Sequence, residues 1–75
     1  MEFTVMIQKA EEGGFWAKVP MLPGCYSQGE TIEETLENIK EAIEGHVEAL
    51  RQEGRAVPPE EDLIIGRVRV FEGVA

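Results

Sequence analysis

Residues 3–9, Phe-Thr-Val-Met-Ile-Gln-Lys, alternate apolar and polar side chains except at Met6, which is the two-residue period of a strand with one buried face. Glu11-Glu12-Gly13-Gly14 interrupts the pattern with two glycines able to take a positive φ, and residues 15–19 resume it in aromatic and β-branched side chains. A β-hairpin is predicted. Its register follows from burial: odd positions against odd positions set Phe3, Val5 and Ile7 beside Ala17, Val19 and Met21, whereas a slip of one residue would set Ile7 against Lys18. The favoured register sends Met6 and Trp16 to the opposite face of the sheet.

Pro20, Pro23 and Gly24 break the chain, because proline has no N–H to give a sheet ladder and Pro-Gly favours a turn. Residues 25–28 then read as a short third strand at a sheet edge. After Gly29-Glu30, the run Thr31-Ile32-Glu33-Glu34 has the form of a capping box, with the Thr31 hydroxyl accepting from the Glu34 amide and the Glu34 carboxylate reaching back to the Thr31 amide. Between residues 32 and 53 the apolar positions are 32, 36, 39, 43, 47 and 50. At 100° per residue they fall within an arc of about 80°, and Glu33, Glu34, Glu37, Glu41, Glu44 and Glu48 fall on the opposite side. This predicts one amphipathic helix of roughly 22 residues, with Gly54 as its terminator.

A loop containing Pro58-Pro59 follows, and residues 63–71, Leu-Ile-Ile-Gly-Arg-Val-Arg-Val-Phe, read as a last strand. The order β-β-β-α-β in a single domain, residues 1–75, is an α+β arrangement. The helix acts as a crossover, so the last strand is expected parallel to the first. The result is a four-stranded mixed sheet of order 3-2-1-4 with the helix on one face and a right-handed connection. That is a partial, shortened ribonuclease-H-like fold.

Charge narrows the function. The chain has 75 residues with 15 acidic and 7 basic side chains, a net charge of −8, which opposes binding to a phosphate backbone and predicts no direct DNA or RNA partner. Residues 30–53 hold eight Glu against Lys40 and Arg51, so −6 of the −8 is concentrated there. One Cys and one His cannot build a disulfide or a structural zinc site. No apolar run is long enough to span a membrane and no basic leader opens the chain, which predicts a soluble cytoplasmic protein.

No residue pattern predicts catalysis. A metal-dependent nuclease on this topology needs carboxylates converging from strands and helix. Here the first and last strands carry none, and the helix carboxylates point away from the sheet. His46, one helical turn from Ile43 and Leu50, is expected to be half-buried at the helix-sheet boundary, and Cys25 to be a small packed thiol. Gly13-Gly14 opens no helix and so forms no phosphate cradle. No catalytic residue, metal or cofactor is expected. Two features ask for contacts instead. Thr35, Asn38, Ala42, Gly45 and Ala49 form a flank of small helix side chains, open either to a partner or to the domain's own loop after Gly54. Met6, Trp16 and Tyr26 stand on the sheet face away from the helix, where one helix cannot cover them.

The ordered string Gly13-Gly14-Phe15-Trp16-Ala17-Lys18-Val19-Pro20-Met21-Leu22-Pro23-Gly24-Cys25, then Ser27-Gln28-Gly29-Glu30-Thr31-Ile32-Glu33-Glu34, with Asn38 and Ala42, resembles the HicB family of antitoxins. The resemblance implies a ribonuclease-H-like domain without nuclease activity that binds and blocks HicA, a small basic mRNA-cleaving toxin. Members of that family often carry a C-terminal DNA-binding segment. This chain ends at Ala75 directly after the last expected strand, so no such domain is expected. Met21 also stands where an acidic residue is common in the family. An acidic domain without an active site complements a basic RNA-binding surface. The expected contacts are Glu37, Glu41, Glu44 and Glu48, with Trp16 and Tyr26 as aromatic anchors, in a chain expected to form a homodimer. The alternative is an oligomeric binding or scaffold module with no toxin partner.

Overall fold

The hairpin forms in the register that burial favours. In the computed structural model, which describes residues 1–72, β1 (Met6–Lys9) runs antiparallel to β2 (Phe15–Lys18) with Ile7 opposite Ala17. Gly13 and Gly14 turn the chain at φ of 105° and 74°. Strand β1 is shorter than its alternation predicts. Continued downwards, the register would set Pro20, which has no N–H, across from Thr4, and the Val19 N–H donates instead to the Cys25 carbonyl at 3.2 Å. The Thr4 N–H finds the Glu60 carboxylate at 2.6 Å. Phe3 and Val5 therefore pack against the core without joining the ladder.

Between Val19 and Cys25 two successive backbone turns, Leu22 N–H to the Val19 carbonyl and Cys25 N–H to the Leu22 carbonyl, push Leu22 into the core, where it is 1% exposed. The prolines mark a loop that also contributes one of the largest fully buried side chains. Strand β3 (Tyr26–Gly29) pairs antiparallel with β2, one residue later than expected, and the sheet order is β1-β2-β3.

Helix α1 (Ile32–Gln52) has 21 residues. The Thr31 hydroxyl accepts from the Glu34 N–H at 3.0 Å, as the capping box predicts. The reciprocal arm differs: the Glu34 carboxylate accepts from the Glu30 N–H at 2.8 Å and not from Thr31. At the other end Gly54, at φ 71°, lets the Arg55 N–H reach the Leu50 carbonyl and the Gly54 N–H reach the Arg51 carbonyl, the paired bonds of a Schellman stop.

The helix lies over β3 and β2. Ala17, Val19, Leu22, Cys25, Ile39, Val47 and Leu50 form the core between the layers. The apolar stripe is only partly consumed by this contact. Ile39, Val47 and Leu50 are buried, while Ile32, the first residue of the helix, and Leu36, on the flank facing residues 1–5, remain 46% and 45% exposed. The N-terminal part of the small flank is used by β3: Thr35 is buried under Gly29, and Asn38 Nδ2 donates to the Gln28 carbonyl at 2.7 Å. Gly45 faces open space.

Residues 63–71 are where structure and expectation part. They form no strand, so the sheet has three strands and not the four of order 3-2-1-4, and a completed ribonuclease-H-like sheet is absent among the described residues. A strand needs an edge to pair with, and the chain is led away from its own. Pro59 is extended at φ −76°, ψ 134°, a single 3-10 turn follows at Glu60–Asp62 with Glu60 tied to Thr4, and Leu63 leaves it extended at φ −94°, ψ 127°. Ile64, Val68, Val70 and Phe71 are 75–89% exposed. The molecule is accordingly long, 54 × 30 × 17 Å, with a radius of gyration of 15.3 Å, against about 11 Å for a compact chain of this length.

Candidate partner-binding site

The outer face of α1 owes its chemistry to helical periodicity. Glu37, Glu41, Glu44 and Glu48 recur at steps of four, three and four, which brings them into one row along the solvent side, and all four are exposed. None is in an ion pair among the described residues, where the one pair formed is Arg55 with Glu53 at 3.3 Å. Glu48 accepts from the Gln52 amide at 3.3 Å. Glu37 and Glu41, and Glu44 and Glu48, are like charges one turn apart, each pair costing the helix a few tenths of a kcal/mol. A cationic surface laid on this row would relieve that repulsion.

The open sheet face is set by the strand register. Met6 stands opposite Lys18, Gln8 opposite Trp16, Trp16 opposite Gln28 and Lys18 opposite Tyr26, so these side chains share the face away from the helix. Tyr26 is 61% exposed and Met6 42%, while Trp16 is half-buried. The six side chains singled out in the sequence thus lie on two surfaces. The four carboxylates are on the outer side of the helix layer and the two aromatic rings on the outer side of the sheet layer, with the core between them. One small partner surface cannot touch both.

A third surface was not legible in the alternation of any single element. Between residues 1–5 and the uncovered flank of α1 runs a groove of about 530 Å³, floored by Phe3, Val5, Ile39 and Val47 and walled by Leu36 and Ile43. Lys40, Glu44, Glu48 and Arg51 stand at its rim. Ile32 and Leu36 lie on the same stripe as the buried Ile39, which was the one hint that part of the stripe would be left uncovered.

Residues with potential for covalent or metal chemistry are not assembled into a site. Cys25 is buried, and loss of solvation pushes its thiol pKa up from the ordinary 9.0, away from the thiolate a nucleophile requires. His46 is half-buried beside Leu22, Leu50 and Pro58. Among the described residues no group of three or more His, Cys, Asp or Glu could hold a metal ion, and no helix is long and apolar enough to cross a membrane.

Comparison with known proteins agrees with the resemblance in the sequence. Residues 3–67 match the family described as the HicB_like antitoxin of bacterial toxin-antitoxin system. A UPF0150 protein of Synechocystis sp. is 51% identical over 63 residues, covering 84% of this chain and 78% of the relative. One from Thermoplasma acidophilum is 47% identical over 58 residues, covering 77% and 84%. One from Helicobacter pylori is 39% identical over 70 residues, covering 93% and 96%.

Proposed function

Since this chain belongs to the HicB-like antitoxin family, we propose that it binds and neutralises a small basic mRNA-cleaving toxin of the HicA type by protein-protein contact, without catalysis of its own. The observation that carries the reading is the unpaired carboxylate row Glu37, Glu41, Glu44 and Glu48 on the outer face of α1. Opposed charge steers encounter, and a row of acids laid over a basic RNA-binding surface also denies that surface to RNA. The reading includes action in the cytoplasm, where mRNA is cleaved, no direct contact with nucleic acid, and no DNA-binding domain within residues 1–75. It also includes a homodimer and a ribonuclease-H-like sheet in which residues 63–71 serve as a fourth strand, order 3-2-1-4. The alternation Val68-Arg69-Val70 and the unpaired outer edge of β1 support that strand.

The test is co-expression with a small basic toxin encoded beside this gene. Restored growth and a complex that co-elutes in gel filtration are expected. With Glu37, Glu41, Glu44 and Glu48 all changed to Gln, affinity should fall at least roughly tenfold, the scale of a few rim charges acting together. Failure of the unaltered chain both to restore growth and to form a complex would overturn the reading and leave the oligomeric scaffold in its place.

A further inference from the structure

Two surfaces of this molecule are incomplete in ways that match each other. The first is the groove of about 530 Å³ between residues 1–5 and α1, at the start of β1, whose outer edge carries no partner strand among the described residues. The second is the segment 63–71. In an extended chain its even positions, Ile64, Gly66, Val68 and Val70, share one face that holds no polar side chain, and the three larger ones are 75–89% exposed. A strand with such a face on its own in water is an unmet demand for burial.

Length and charge fit as well. Nine residues in extended form span about 30 Å, the span of residues 1–9 and also of the 21-residue helix at 1.5 Å per residue. The segment carries Arg67 and Arg69 and no acid, whereas residues 1–62 hold 14 acids and 5 bases. A segment of +2 therefore faces a body of −9, and Glu44 and Glu48 stand at the rim of the groove. The direction of the segment decides which copy receives it. Pro58-Pro59 and the Glu60–Asp62 turn send it away from its own sheet, stretching the molecule to 54 Å. Exchange of an identical element between two copies is a low-cost route to a dimer when the connecting segment leads that element away from its own body.

We infer that residues 63–71 of one chain pair with the outer edge of β1 in a second copy, with Val68 and Val70 seated in the groove against Leu36, and that the second copy returns the same strand. The contact is isologous and closes as a two-fold dimer. Each copy contributes nine tail residues and eleven groove residues, in the range of roughly 20–30 residues a side found in stable interfaces. The inference builds on the fourth strand of the reading above and is independent of any toxin.

Light scattering of the full chain alone at micromolar concentration is expected to give twice the 8.4 kDa chain mass. Val68→Lys with Val70→Lys, both exposed and outside the core, should leave helical circular dichroism unchanged and weaken the dimer roughly a hundredfold or more, the scale of four valines kept in water. Leu36→Glu, on the groove wall, should do the same. Mixing the tail variant with the groove variant should restore a heterodimer through the one intact tail-groove pair. A monomer at all concentrations, with residues 63–71 protected from hydrogen exchange, would overturn the exchange while keeping the fourth strand in its own sheet. A dimer indifferent to all these substitutions would overturn both.

Discussion

Gly29 and Gly45 show how differently one residue type can be used. A Cβ on Gly29 would lie 2.7 Å from the backbone N and 2.8 Å from Oγ1 of the buried Thr35, with no flexible side chain able to yield. The end of β3 and the first turn of α1 touch backbone to backbone there. Gly45 has nothing within 4 Å of the same position and is exposed in mid-helix. Gly29→Ala is therefore expected to destabilise the fold by about 1–3 kcal/mol, as overpacking does. Gly45→Ala is expected to stabilise it by roughly 1 kcal/mol through helix propensity alone. Urea unfolding of the two variants should move in opposite directions. The sequence offered both glycines on equal terms, and the helix position of Gly45 made it the more conspicuous. The contact that gives Gly29 its role joins two elements, which no periodicity within either can reveal. Leu22 was hidden for a similar reason: between two prolines it reads as loop, and only the turns around it show that it points inward.

Elements were legible in proportion to how much of their stabilisation is local. The hairpin register followed from which side chains share a face, and α1 from its stripe and caps. Thr31 satisfies the Glu34 amide while Glu34 satisfies the Glu30 amide, so Thr31→Ala should lower stability by about 1 kcal/mol, read as a shift in the urea midpoint with an unchanged slope. The segment 63–71 has as clear a strand pattern as β1, yet it forms none in the single chain. Alternation specifies a face to bury and says nothing of whose edge will supply the hydrogen bonds. The same gap bears on α1: its stripe predicted a core contact along its whole length, and Leu36 faces a groove that no strand fills among the described residues.

At the scale of the whole molecule the candidate surfaces divide the labour. The acidic row and the aromatic sheet face lie on opposite layers, so a partner on the first leaves the second free, whereas Glu44 and Glu48 belong both to the row and to the rim of the groove. Composition located the charge and the helical wheel located its face. What neither could give was the relation of that face to Trp16 and Tyr26, because it depends on how helix and sheet stack. If the acidic row is the toxin contact, raising salt from 50 to 500 mM, which shortens the screening length from well above 10 Å to a few Å, should slow association markedly and leave dissociation little changed. Stopped-flow binding at several ionic strengths would measure it. Association independent of salt would move the contact to the aromatic face.

The spatial order of the elements also matters for how the protein is made. Strands β1, β2 and β3 are neighbours in both sequence and space, and α1 packs on the two strands that precede it. No long loop has to close before these contacts form, which favours rapid folding. The first 52 residues can therefore settle on contacts among themselves, ahead of any docking of residues 63–71. The last segment always meets a finished body with its edge already open. On a polysome several such bodies lie close together, and the stretch that arrives last can find a neighbour's edge as readily as its own.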